Sequence, residues 1–364
     1  MHSVEQDDGA FRFRHELARL AILERARLKS QHQAHRRFLE ALSQQGDADS
    51  IDQQVHHADG ARNSAEVLRV APLAANRASQ RSAHAEAFAH AGVALKYVDR
   101  AGPDVAAPLW ELWAGSACVS TSMGTDVIDG RSEAARLWNL LERPDKAAEN
   151  LRWRSRLHWY RCEPELANSV ANEAIDLLEG TGREDALALA AALRAQLLML
   201  NLEMEEAIAW GEKAPGLARA SDNLEAEVHA LNTIGAAKCF LNDPGGMALL
   251  QESLSRAEST VYGAYAAHDS DIARAYLNMA DHACEFRKFD IASDTISEGI
   301  KRCTEIDFEA WVYQLHGRRA QTFLLQGQLN PHTASAFRHE RPAAPDESLR
   351  ETWPGRSRKR SALS

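Results

Sequence analysis

Histidines gather near the start of the chain: His32 and His35, then the adjacent pair His56-His57. Neutral imidazoles bind zinc-class ions, but these spacings give no recognised set of three or four ligands, and no His-Glu-x-x-His occurs, so no metal is expected. His158 and Cys162 stand four residues apart and would share one face of a helix, again too few ligands for a site. Asp126, Asp129, Gly130 and Glu133 hint at calcium, yet they miss the spacing of the twelve-residue loop with its final bidentate Glu, and a solvated loop is expected there. Cys118 follows Gly115-Ser116-Ala117 without a strand, a Gly-x-Ser-x-Gly elbow or an identifiable base, so it is expected to pack rather than attack. Gly180-x-Gly182 follows a helical pattern rather than a strand and is read as a turn, not a phosphate loop. No Gly-x-x-x-x-Gly-Lys-Ser/Thr is present to cradle a triphosphate, so ATP hydrolysis by this chain is not expected. With no nucleophile, acid and base to draw together, the chain reads as non-enzymatic.

Its 42 Lys and Arg against 52 Asp and Glu give a net charge of −10, which argues against general nucleic-acid binding. The short basic run Arg356-Ser357-Arg358-Lys359-Arg360 reads as a solvated tail. The C-terminal region shows no pair of short amphipathic helices joined by a tight turn, so direct DNA binding is not expected either. Five cysteines, at 118, 162, 239, 284 and 303, are odd in number and widely spaced, as reduced thiols of a cytoplasmic protein would be. The polar, acidic opening Met1-His2-Ser3-Val4-Glu5-Gln6-Asp7-Asp8 does not match a secretory signal. The most apolar stretch, 186–200, contains Arg194 and Gln196 and is too short to span a bilayer.

Helix-spaced apolar residues with Ala, Glu, Arg and Leu between them run through most of the chain, and sustained period-2 alternation is absent, so the fold class expected is all-α. Leu189, Leu193, Leu197 and Leu200 line up as one stripe. Gly180 and Gly182 suit a helix end, and Glu163-Pro164 and Asp243-Pro244 suit helix starts. A small residue followed mostly by an apolar one recurs at Ala94, Ala134, Ala174, Ala214, Ser253 and Gly299, in steps of 40, 40, 40, 39 and 46. A period near 40 holds two helices and two turns, and such hairpins bury their apolar faces only by stacking. A superhelical array of antiparallel hairpins follows. Trp110, Trp113, Trp138, Trp153, Trp159, Trp210 and Trp311 are expected to fill gaps between hairpins, with some on the inner curve meeting a ligand. Pro215 predicts a kink within 211–216, and residues 258–263 predict an extended connection before a helix from about Asp269.

Residues 331–364 hold four of the eleven prolines and no helical stripe, and disorder is expected. The helix over 310–326 reads as the first arm of a hairpin with no second arm after Gly327, which suggests an array cut short by a frameshift or rearrangement.

Four stretches carry a family resemblance: Phe11-Arg12-Phe13-Arg14-His15-Glu16-Leu17-Ala18-Arg19, Asn150-Leu151-Arg152-Trp153-Arg154-Ser155-Arg156-Leu157, His229-Ala230-Leu231-Asn232-Thr233-Ile234-Gly235 and Arg274-Ala275-Tyr276-Leu277-Asn278-Met279-Ala280. In order and spacing they resemble the tetratricopeptide-like (TPR-like) sensor region of LuxR/MalT-type bacterial transcriptional regulators, a group of STAND-class ATPases. The resemblance, over about residues 10–328, implies a winged-helix remnant at 1–48 and a TPR-like repeat array at 49–328, and composition leaves a disordered Pro/Arg-rich tail at 329–364. It places His15 where the family's histidine meets the ADP phosphate, with Glu16 in the place of the usual Asp. In an intact member, ATP or ADP belongs to the ATPase module and DNA to a helix-turn-helix. This chain would hold the part between, with a protein or small effector on its concave surface. The alternative is a free-standing adaptor for partner peptides.

Overall fold

The computed structural model describes residues 4–7, 10–13, 28–45, 50–120, 125–260, 265–306 and 308–328. His15, the 1–48 unit apart from two strands and one helix, and the 329–364 tail with its basic run lie outside these residues. The two strands, β1 (Val4–Asp7) and β2 (Ala10–Phe13), form an antiparallel hairpin with Val4 opposite Phe13 and Asp7 opposite Ala10. Four-residue strands carry too little alternation to register in a sequence pattern, and the all-α class expected holds for the array that follows.

Everything else described is helical or turn. In order come α1 (Leu28–Gln45), α2 (Ile51–Gly60), α3 (Ser64–Gln80), α4 (His84–Leu95), α5 (Pro103–Ser120), α6 (Thr125–Leu140), α7 (Pro144–Tyr160) and α8 (Pro164–Leu178). Then follow α9 (Glu184–Leu200), α10 (Met204–Ser221), α11 (Leu224–Phe240), α12 (Gly246–Ser259), α13 (Tyr265–Glu285), α14 (Phe289–Glu305) and α15 (Glu309–Leu325). Each helix packs on the next, and the short turns make neighbours antiparallel. No helix among the described residues is long and apolar enough to cross a membrane.

The recurring small residues fall one to a helix on α4, α6, α8, α10, α12 and α14, and their role is visible. Ala94, Ala134, Ala174, Ala214 and Ser253 are all 0 % exposed. A Cβ added at Gly299 would come within 2.9 Å of Tyr276 on α13 and 3.1 Å of Leu315 on α15. The Ser253 hydroxyl donates to the Val228 carbonyl on α11 at 3.0 Å. Small side chains therefore seat each even-numbered helix against its odd-numbered neighbours, where close-packed interiors leave no spare volume.

The turns share one design that the sequence does not announce. Arg62, Ser82, Glu142, Cys162, Leu202, Asp222, Asn242 and Arg287 all have a left-handed backbone, with φ between 53° and 66°. After each, the next N–H bonds back to a carbonyl five residues earlier, as Asn63 does to Ala58, Ala83 to Ala78, Arg143 to Trp138 and Glu203 to Leu198. That is the six-to-one bond of a helix-ending Schellman turn. Gly180 and Gly182, at φ 73° and 71°, form the turn expected of them.

Two local expectations are corrected. Residues 125–140 form helix α6, so Asp126, Asp129, Gly130 and Glu133 do not sit on a solvated loop, and Gly130 lies against the Trp113 ring. Pro215 lies inside helix α10, which runs on as one element through it. Helix α13 starts at Tyr265, four residues before Asp269, and only residues 261–264 between it and α12 are undescribed.

Candidate functional site

The odd-numbered helices form the inner layer. Besides packing on their sequence neighbours, α7 touches α9, α9 touches α11, α11 touches α13 and α13 touches α15. The series also returns on itself, because α13 meets α3 and α5, and α15 meets α5. The chain therefore curls into a superhelical turn whose interior is walled by α5, α7, α11 and α13.

A hydrophobic protein would line that wall with apolar groups. This one lines it with charge. Arg152, Arg156 and Arg274, joined by Arg131 from α6, are each no more than 5 % exposed, Glu225 is 7 % exposed, and Asn150, His229, Asn232, Asp269 and Asp271 are buried with them. Ionised groups are buried only when paired, because leaving water costs several kcal/mol per ion. Two of the contacts join distant helices. Arg152 on α7 donates to Glu225 on α11 at 2.7 Å, and Arg156 donates to Ser270 on α13 at 3.3 Å. On α13 itself Arg274 donates to Asp271 at 2.8 Å. At one end Glu111 on α5 accepts from Trp138 at 2.6 Å and from Lys146 at 3.2 Å. Lys146 also donates to Glu149 at 2.8 Å, and Arg131 donates to Asn150 at 2.9 Å.

Trp153 is the centre of this wall. The guanidinium carbons of Arg131, Arg152 and Arg156 lie 5.3, 5.6 and 4.8 Å from its ring centroid. Three cations can share one buried ring because its quadrupole draws positive charge. Burial raises the Glu225 carboxyl above its ordinary pKa against the pull of Arg152. Burial, then the neighbouring Glu149, raises Glu111 likewise. The guanidinium groups of Arg131, Arg152 and Arg156 place positive charge around Trp153. His229 shows the same field: burial first, and then Arg274, Arg152 and Arg156, hold it well below the ordinary imidazole pKa. Arg274 donates to His229 Nε2 at 2.8 Å, which requires that nitrogen to be unprotonated.

The superhelical turn is closed by a polar seam. Asp269 on α13 accepts from the Ser82 hydroxyl at 3.0 Å and pairs with His84 Nε2 at 3.0 Å, across more than 180 residues of sequence. Buried polar atoms without a hydrogen-bond partner among the described residues include Nε of Arg131, Nε of Arg152 and Nδ2 of Asn232.

Other sequence candidates separate. His158 pairs with Glu163 at 2.7 Å while Cys162 is exposed in the turn at φ 59°, so the two do not share a helical face. The Cys118 side chain is outside the described residues. Among the tryptophans, Trp113 packs in the apolar core with Phe88 at 5.1 Å, and Trp153 alone carries the arginine cluster. His35, His56 and His57 do come together, while His32 is not one of the group. Sequence inspection for catalytic motifs passes over the wall residues entirely. Their signal is stripe-like: Arg152, Arg156 and Tyr160, then Glu225, His229 and Thr233, recur at helical spacing on helices that are otherwise rich in alanine and leucine.

No family model matches the sequence, and no curated protein matches it. Solved structures do. A Rap protein in complex with competence and sporulation factor superposes with a TM-score of 0.54 at 12% identity, over 79% of this chain and 80% of that one. The apo form of RapI gives 0.53 at 14% identity, over 80% and 96%. A STAND protein with a tetratricopeptide repeat sensor from Pyrococcus horikoshii aligns more loosely, at 0.44 and 14% identity, over 93% of this chain and 50% of that one. What the chain shares with the two Rap structures is the fold, a TPR-like superhelix of helical hairpins.

Proposed function

We propose that the chain is a non-catalytic TPR-like interaction segment that takes a partner's peptide into its concave interior. The observation that carries this reading is the charged wall around Trp153 in an array that elsewhere packs on alanine and leucine. Folding alone does not call for such a wall, since apolar groups of similar volume commonly stabilise as well or better than a buried ion pair. Recognition does call for it. The arginine cluster around Trp153 suits an acidic side chain or a free carboxyl end. That a Rap protein of the same fold was solved with competence and sporulation factor supports the reading.

The family resemblance extends the proposal to context. In a LuxR/MalT-type regulator this array would be the cytoplasmic sensor, and a ligand that prefers one curvature would bias the coupled ATPase module, since any differential affinity shifts an equilibrium. Nucleotide and DNA would then be bound by other modules. A weak ADP-phosphate contact at His15 belongs to the same proposal. A free-standing adaptor would use the same interior.

The test is selection from a randomised peptide library on the whole chain, then titration of the enriched peptides against the parent, Arg152→Gln and Arg156→Gln, with helicity checked by circular dichroism. Enriched sequences should carry acidic residues, and each substitution should weaken them at least about tenfold, equivalent to roughly 1.4 kcal/mol. Absence of enrichment, or equal affinity for all three proteins, contradicts the reading.

A further inference from the structure

A second site lies at the other end of the array, where α1 meets α2. His35 comes from α1, and His56 and His57 from α2. Their ring centroids form a nearly equilateral triangle: 5.3 Å from His35 to His56, 5.1 Å from His35 to His57, and 5.1 Å from His56 to His57. One ring nitrogen of each falls within 4.8 Å of the other two, and the two Nδ1 atoms of His35 and His57 are 2.9 Å apart.

That triangle has the size of a metal site. A zinc–imidazole bond of about 2.0–2.1 Å, with the ring centre about 1.1 Å beyond the nitrogen, puts the centroids of tetrahedral ligands about 5.2 Å apart. The geometry points to a three-histidine site for a zinc-class divalent cation, formed by His35, His56 and His57 and tying α1 to the first hairpin of the array.

The surroundings hold the rings in place. A Cβ on Gly60 would lie 2.5 Å from His35 Nδ1, so only glycine lets that ring sit against α2. Phe38 stacks on His57 with centroids 5.0 Å apart and planes 16° from parallel. Facing Nδ1 atoms need one proton between them to form a hydrogen bond, and a cation can take that proton's place while it shifts to Nε2 of the same neutral ring. All-imidazole donors select zinc, nickel or copper over magnesium and calcium, which prefer oxygen. Three protein ligands leave a fourth position for water.

The test uses the whole chain and ZnCl₂ alone, titrated by calorimetry, with MgCl₂ as the control and Co²⁺ as a spectroscopic substitute for zinc. We expect one tight equivalent of zinc, no response to magnesium, and the visible absorption of four-coordinate Co²⁺. The tight equivalent should vanish in the His35→Ala/His57→Ala double variant. Gly60→Ala keeps all three imidazoles yet should weaken binding at least about tenfold, as disturbance of ligand orientation commonly does. If the double variant fails to fold, His56→Gln serves, because His56 is exposed, and a loss of at least tenfold is expected there too. Equal zinc affinity in the parent and His56→Gln, or in the parent and a folded double variant, overturns the proposal.

Discussion

Arg152 and Glu225 carry the strongest residue-level consequence. Both are nearly excluded from water, and each is the other's partner at 2.7 Å. Arg152→Ala leaves Glu225 buried and unpaired, which should cost about 3–5 kcal/mol by chemical denaturation, whereas Arg152→Met with Glu225→Leu should recover most of that loss. A double variant as unstable as Arg152→Ala would mean that the pair stabilises the fold on its own account. His229 gives a pH prediction. Its pKa is held well below the ordinary imidazole value when folded, so the unfolded chain binds the extra proton. The resulting stability is present above the ordinary imidazole pKa and is lost as pH falls below it towards the folded value. His229→Gln should flatten the fall in stability between pH 6.5 and 5.5 by up to about 1.4 kcal/mol, one proton's worth per pH unit. An unchanged slope would show that His229 protonates freely in the folded chain. None of these residues was legible as a site in the sequence, because each is ordinary on its own helix and acquires its partner from a helix far along the chain.

Among elements, the helices and their pairing were legible, and the turns were not. The small residues at 94, 134, 174, 214, 253 and 299 announce themselves because a helix leaning on two neighbours tolerates no larger side chain there. Ala174→Leu should therefore destabilise by about 1–3 kcal/mol through overpacking, and a variant as stable as the parent would remove the packing role assigned to this position. The left-handed turn residues escape notice because they are Arg, Ser, Glu, Cys, Leu, Asp and Asn rather than glycine. Leu202 is the clearest case, 66 % exposed and at φ 66°. Leu202→Gly relieves a backbone penalty of about 1–2 kcal/mol, reduced by glycine's greater unfolded entropy, so a net gain of about 0.5–1 kcal/mol is expected in thermal unfolding. A loss instead would mean that the exposed leucine packs more than its surface suggests. The β1–β2 hairpin escapes notice as well, because its short strands leave no period to read.

At the scale of the whole molecule, curvature was the part the sequence could not supply. A period of 40 says that hairpins stack, but the closure of the turn depends on Asp269 meeting Ser82 and His84, contacts between residues more than 180 apart. Asp269→Ala leaves both partners unsatisfied, at a cost of about 1–3 kcal/mol per buried group, so the seam should open and the radius of gyration rise in small-angle scattering. An unchanged radius would show that α15 packing on α5 is sufficient for closure. The central claim is that the interior wall, not the outer face, receives a partner. Photo-crosslinking with an enriched peptide carrying a diazirine, read by mass spectrometry on the full chain, tests it most directly. The account predicts adducts on α7, α11 and α13 near Trp153, lost in Arg152→Gln. Adducts confined to the even-numbered helices α8, α10 and α12 would contradict it.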